Sequence, residues 1–377
     1  MGSMTSRERI CAAMRDEDVD HLPCSIYFNS NLRVDGYDCS RLENRIALSI
    51  DLDVDAFVGV GMGSSVHPDV RISNWVEEVD GEKHPLLWQA WDTPDGRLTQ
   101  AIRKELICED WETIRWGDES ASSLYKPLIE SCEDIQLFQY LVQPTTEEDF
   151  ADHVSGQERT LEAARAHDLP VVATYGQGLA KLIFTLGAEN SVLLAMDDPD
   201  GFAQLAEVIH QSEMRNIELA ARGNVDILKR FGGYEMCNFY NPHLYETVCL
   251  PRLKAEVEYA HDLGLLIFYR VVTGMEPLLG MISDIGFDCI EGGEPHLSQC
   301  SLVDWHDALS GKASSWTGIS TPVLLGGSDP DVVRQEVRHS IDVFGRRGFI
   351  LGASNSVRNH FPWENTLAMI DEWKTIR

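Results

Sequence analysis

The chain has 377 residues, 44% of them hydrophobic, which is enough to fill the core of one large α/β domain. Its 61 acidic against 31 basic residues give a net charge of −30, and this balance excludes a nucleic-acid partner, whose phosphates need clustered Lys and Arg. No run of about 20 apolar residues is present to cross a membrane, the opening MGSMTSRERICAAMRDE is charged where a secretion signal is apolar, and the nine cysteines lack CxxC spacing; a cytoplasmic protein with reduced thiols is expected.

Thr5-x-x-Glu8 is a capping box that opens a first helix. Strand patterns follow at 21–29 (HLPCSIYFN) and 55–61 (DAFVGVG). From 71 to 104 the pattern becomes that of hairpins, with the turn pairs Asp80-Gly81 and Asp95-Gly96 between strand-like runs. This predicts an antiparallel excursion, inside an insertion of about 62–145, packed over one mouth of the domain. Further strands are expected at 169–175, 225–235, 265–272, 287–291, 313–320 and 348–354. Helices lie between them. EPLLGMISDIG has helical spacing with Gly286 as its stop, and DPDVVRQEVRHSIDVFG carries an apolar stripe of Val332, Val333, Val337, Ile341 and Phe344 with Ser328 as its N-cap. Eight strands alternating with helices predict a (β/α)8 TIM barrel, one domain over 1–377 with an antiparallel β insertion near the N-terminus.

In such a barrel the carboxyl ends of all strands converge on one face, so polar residues there gather around a substrate. Tyr175 and Gln177 follow the third strand, in TYGQGL, where Gly176 and Gly178 let a ligand approach the backbone or simply make a tight turn. Glu235, Asn238 and Tyr240 follow the fourth. Arg270 sits on the fifth, Glu291, Glu294 and His296 end or follow the sixth, and Asn355, Arg358 and His360 follow the eighth. Glu235, Arg270 and Glu291 are the catalytic candidates; Tyr175, Gln177, Asn238, Tyr240, Asn355, Arg358 and His360 are the substrate-binding ones. Three readings of the carboxylates stay open. Glu235, Glu291, Glu294 and His296 form a metal set, or they act as general acids and bases beside Arg270, or they belong to a structural ion-pair network in which Arg270 pairs with Glu291 and Glu235 caps a helix. The aromatics Phe268, Tyr269, Phe239, Tyr240, Trp305 and Trp316 are read as core.

The segments TSRERICAAMRDEDVDHLP, SDIGFDCIEGGEP, SDPDVVRQEVRHSI and GFILGASNSVRNHFPWENTLAMIDEW resemble the uroporphyrinogen decarboxylase superfamily. That resemblance implies a (β/α)8 barrel serving either porphyrinogen decarboxylation or corrinoid-linked methyl transfer. The decarboxylases resemble one another in an arginine-rich segment after the first strand; here SIYFNSNLRVDGYD holds one, Arg33, too few to clamp several carboxylates. The methyltransferases' His-x-Cys-Gly zinc motif aligns with 271–274, where Val271 and Thr273 stand at the ligand positions, so a thiol-activating zinc is not expected there and any zinc needs the other set. No Asp-x-His-x-x-Gly corrinoid motif occurs: at His261 its Asp position is Tyr259. The resemblance therefore implies a demethylase component that moves a methyl group from a small O- or N-methylated substrate to a corrinoid on a separate partner protein. Two alternatives are a lyase acting on a smaller carboxylic acid and a non-catalytic ligand-binding barrel. The methyl donor and the oligomeric state stay open.

Overall fold

The structure, a computed structural model, describes residues 3–106 and 108–377. Its strands, in chain order, are β1 (Cys24–Ser25), β2 (Arg33–Val34), β3 (Tyr37–Asp38), β4 (Val58–Gly61), β5 (Arg71–Glu77), β6 (Leu86–Thr93), β7 (Gly96–Arg103), β8 (Leu124–Lys126), β9 (Val171–Gly176), β10 (Ile227–Phe231), β11 (Leu266–Val271), β12 (Cys289–Gly292), β13 (Ser314–Ile319) and β14 (Phe349–Ala353). Eight of them form one parallel sheet in the order β1-β14-β13-β12-β11-β10-β9-β4. They are the eight segments expected from the sequence. The sheet curls, and its edges meet through one backbone bond, Asp55 N–H to the Cys24 carbonyl at 2.7 Å. Among the described residues no ladder joins β1 to β4, so the architecture is TIM-barrel-like without a closing strand pair.

Strand alternation splits the side chains between two cores. Ile227, Leu266, Phe268, Cys289, Trp316 and Ile350 pack in the lumen together with Ile10 and Met14 of the first helix, Ser6–Met14. The residues between them, such as Leu228, Ile267, Tyr269 and Ile290, pack outward in the larger core with the surrounding helices. The capping box at Thr5 and Glu8 is formed. The last-but-one helix, Pro330–Phe344, is capped by Asp329, whose carboxylate accepts from Asp331 N–H, and not by Ser328. Its buried stripe is Val333, Val337, Ser340 and Phe344, while Val332 faces solvent.

The expected excursion is a four-stranded antiparallel sheet, β5-β6-β7-β8. Thr93 pairs with Gly96, so the second hairpin turns on Pro94-Asp95, one residue earlier than the Asp-Gly pair suggests. The Thr93 hydroxyl oxygen accepts from the N–H groups of Asp95 and Gly96, which stabilises a turn with Pro at its favoured position. An antiparallel bridge between Ser65 and Gln143 forms the neck of the insertion. Gln100 fastens its far side by donating to the Phe184 carbonyl at 2.8 Å, on the helix Leu179–Leu186 that follows β9. All nine cysteines are free thiols. Among the described residues no single helix is long and apolar enough to cross a membrane.

Candidate active site

The carboxyl ends of the parallel strands open onto a cavity of about 420 Å³. Three consecutive strands each place one charged residue in it: Lys229 on β10, Arg270 on β11 and Glu291 on β12. Lys229 lies two residues after the lumenal Ile227, so strand periodicity commits its side chain to the interior. One tier above, neighbouring strands bring Phe231, Arg270, Glu291 and Trp316 side by side. Arg270 Nη1 donates to Glu291 Oε1, and its Nη2 reaches the Ser354 carbonyl at 3.4 Å. Glu291 Oε2 is buried without a hydrogen-bond partner among the described residues. Lys229 has no hydrogen-bonding partner among the described residues either, and burial followed by the charge of Arg270 lowers its pKa to about 8, against a smaller opposing pull from Glu291.

Aromatic rings make the rest of the wall. Trp316 sits edge-on to Phe57 and tilted against Phe268, both at 5.6 Å between ring centroids. Its indole crosses β14 at Gly352, where a Cβ would lie 2.6 Å from it, so only glycine leaves room. Tyr27, Asn355 and Arg358 also line the cavity, as do Asp118 and Glu119 from the insertion, the first held by Tyr234 Oη at 2.9 Å. The insertion thus reaches the mouth through its connecting segment, and no residue of β5–β8 lines the cavity.

Of the residues expected at the site, Arg270, Glu291, Asn355 and Arg358 meet in this cavity. The others do not. Glu235 is buried on the outer side of the sheet, bonded to Arg230 at 2.9 Å, to Tyr269 Oη at 2.7 Å and to Leu179 N–H at 2.9 Å. Tyr175 donates to Glu256 at 2.8 Å in the same buried network, and Tyr240 bonds Ser191 at 2.6 Å. The Gln177 backbone N–H donates to Glu213 at 2.6 Å. Glycines 176 and 178 are approached by the protein's own groups: a Cβ on Gly178 would lie 1.9 Å from Arg230 and 2.1 Å from Glu235. Asn238, His296 and His360 are exposed, His360 resting edge-on against Phe361. Glu294 is buried and accepts from the hydroxyls of Ser320 and Ser354. Arg33 pairs with Asp38 at 2.9 Å, outside the cavity.

The metal set is therefore corrected. Glu235, Glu291, Glu294 and His296 go to four different surroundings, and no three His, Cys, Asp or Glu side chains gather in a metal-holding group among the described residues. Val271 packs in the outer core and Thr273 donates to the Met236 sulfur at 3.6 Å, so the aligned ligand positions are occupied by non-ligands. Strand ends were the wrong criterion for Tyr175, because alternate residues of each strand face the helices, and for Glu235, which lies beyond the end of β10 in a loop that turns back towards Arg230. Parity is the signal that finds Lys229: in VDILKRF it shares the lumenal phase with Ile227 and Phe231.

The uroporphyrinogen decarboxylase (URO-D) family model matches residues 113–376. Among solved structures, the chain is similar to a methyltransferase from Methanosarcina mazei, with a TM-score of 0.67, 11% identity and 99% of each chain covered. It is also similar to a B12-independent methionine synthase from Shewanella sp. W3-18-1, with a TM-score of 0.42, 12% identity, and 58% of this chain and 64% of that one covered. No curated protein matches.

Proposed function

The chain belongs to the uroporphyrinogen decarboxylase family, and from that premise we propose that it is a methyltransferase that removes a methyl group from a small methylated substrate, an O-methyl ether in preference to a methylated amine. The observation that carries this reading is Lys229, an ammonium facing the cavity, without a hydrogen-bonding partner among the described residues and with its pKa brought down to about 8. Breaking a carbon–oxygen bond leaves an alkoxide or phenoxide, which departs readily only if it takes up a proton. A general acid works best when its pKa lies near the operating pH. Lys229 Nζ donates that proton and becomes a neutral amine. Arg270 is held by Glu291 and the Ser354 carbonyl, so its charge stays fixed beside the departing oxygen. Phe57, Phe268 and Trp316 exclude water and seat the flat, apolar part of the substrate.

The methyl acceptor in this reading is a corrinoid on a separate partner protein, which would supply the nucleophile. A cavity of about 420 Å³ has room for a small substrate and none for a corrinoid macrocycle beside it, so the acceptor must be presented at the mouth. The Methanosarcina likeness, at 11% identity, supports the fold, and the activity is our own reading. The proton in this reading comes from Lys229, and among the described residues no three His, Cys, Asp or Glu side chains gather into a metal-holding group.

A second reading has one observation in its favour. Lys229 and Arg270 are two adjacent cations that would also bind the carboxylate of a small acid, as a carboxy-lyase requires. One experiment separates the two: candidate methyl ethers and their free acids are incubated with the protein and reduced corrinoid, scoring demethylated product and carbon dioxide. Demethylation that depends on corrinoid and falls about 10²–10⁴-fold in Lys229→Met supports methyl transfer through this lysine. Carbon dioxide release without corrinoid replaces methyl transfer by the lyase. Full demethylation by Lys229→Met removes the proton-donor role.

A further inference from the structure

Strand β5 is the outer edge of the insertion sheet, hydrogen-bonded among the described residues on one side only, to β6, through seven consecutive residue pairs without a bulge. All seven of its residues are exposed. Ile72, Trp75 and Val76 are 48%, 38% and 55% accessible, an unusual set for a monomer's surface. Natural edge strands of this length are normally protected by charged side chains, Pro or a bulge, because their free N–H and C=O groups invite another strand. RISNWVE has no Pro and no bulge, and its charges, Arg71 and Glu77, stand only at its two ends.

The order of its residues says which strand fits. Read outward from Asn74, the sequence is a charge palindrome. A second β5 running antiparallel about a two-fold axis at Asn74 sets Arg71 opposite Glu77, Ile72 opposite Val76 and Ser73 opposite Trp75, each pair occurring twice. Neither Arg71 nor Glu77 has an ion-pair partner within the chain among the described residues. Slipping the register by two residues sets Arg71 opposite Trp75 or Glu77 opposite Ser73, so the centred register alone matches both charges. Both faces gain: Ile72 and Val76 meet on one, and on the other the two Trp75 rings, each stacked on its own Trp88 at 5.7 Å, become diagonal neighbours. At a net charge of −30 two copies repel over most of their surfaces. β5 carries one charge of each sign, which makes it a place where that repulsion is locally cancelled.

We propose that two copies of this chain join through β5, antiparallel about Asn74, to make one continuous eight-stranded sheet from the two insertions. The interface is isologous, as a two-fold contact must be. It is tested by sedimentation equilibrium of the full chain over a wide concentration range. The native chain is expected to reach the mass of two chains. R71E and E77R each turn two attractive pairs into two repulsive ones and should weaken the dimer about tenfold or more, while R71E/E77R restores both pairs and returns the affinity to within about threefold of native. I72K/V76K should be monomeric with an unchanged circular dichroism spectrum and melting curve. A native chain that stays monomeric overturns the proposal, and so does a dimer indifferent to all four variants or one that R71E/E77R fails to restore.

Discussion

Lys229 is kept protonated in a place that penalises the proton, and that penalty is a measurable property of the fold. Burial, with the Arg270 charge added, lowers its pKa from 10.5 to about 8. Below pH 8 folded and unfolded chains both hold the proton, so the whole cost is present; between about 8 and 10 the unfolded chain alone holds it, and stability rises with pH as the cost is relieved. A shift of this size corresponds to roughly 3 kcal/mol. Lys229→Met should therefore melt higher than the native protein at pH 7 while losing turnover, and the difference should close as the pH is raised towards 10. A variant that melts lower at pH 7 would contradict the placement of this side chain. If the proposed demethylation proceeds with Lys229 as the proton donor, its rate should fall as pH rises through about 8, where that proton is lost. Glu291→Gln tests the neighbouring pair. Its Oε1 is engaged by Arg270 and its Oε2 has no partner, so a role in orienting Arg270 predicts lost turnover with a melting shift of a few degrees at most. A purely structural ion pair predicts lost stability in Glu291→Gln that is partly recovered in the double variant with Arg270→Met, and melting curves of the two singles and the double distinguish these outcomes.

At the scale of elements, the loops after β9 and β10 are braced by a buried ion network behind the sheet. Arg230 lies 2.9 Å from Glu235, 2.8 Å from Glu256 and 3.8 Å from Glu213. Glu213 and Glu256 come from the helices Pro199–Arg222 and Leu250–Asp262, so one guanidinium ties two helices and two loops together. Burial raises the pKa of Glu213; for Glu256 burial also acts upward, but Arg230 and His210 outweigh it and the net shift is downward. Arg230→Met leaves three buried carboxylates without this cation and should cost about 3–5 kcal/mol by urea denaturation. The loss should shrink as pH falls, since Glu256, held below its ordinary range, contributes stability that is present above that range and disappears on protonation. A loss that stays constant well below pH 4, through the acid range in which Glu256 takes up its proton, would mean the carboxylates are not what Arg230 neutralises. This network also marks the limit of what the sequence makes legible. The eight strands are readable because runs such as LLIFYRVV are β-branched and aromatic and end at glycine or helical periodicity. Arg270 and Glu291 are readable because they sit at lumenal parity on adjacent strands. Glu235 looks equally like an active-site carboxylate from its position after a strand, and only the three-dimensional path of GGYE, which turns it back towards Arg230, sends it to the other side of the wall. No local pattern encodes that turn.

The whole molecule separates its chemistry from its stability along the axis of the lumen. The charged tier and the cavity are at the carboxyl end of the strands, and the opposite end is stoppered by the helix Ser6–Met14. Ile10 and Met14, both essentially inaccessible, pack against Ile227, Leu266, Cys289 and Ile350. Ser314 Oγ donates to the carbonyls of Ala13 and Met14 at 2.8 and 3.1 Å, holding the end of that helix under β13. Arg9 anchors it from the side, bonded to Asp55 and, at 2.7 Å, to Asp20. The stopper was legible as a capped helix, but its site was not, because nothing in a nine-residue helix says which opening it will fill. Met14→Ala opens a void in that packing and should cost about 2–5 kcal/mol. Lys229 is level with Phe268 and Cys289, one tier above the Ile227 and Leu266 layer that meets this helix, and Glu291 lies a tier higher still, so the folded fraction should keep its kcat and KM well below the melting temperature. That is the reverse of Lys229→Met, which gains stability and loses turnover. If Met14→Ala instead lowers turnover at temperatures where it is fully folded, the two ends of the lumen are coupled through the Phe268 and Trp316 layer, and the division of the barrel into a stabilising floor and a reactive mouth fails.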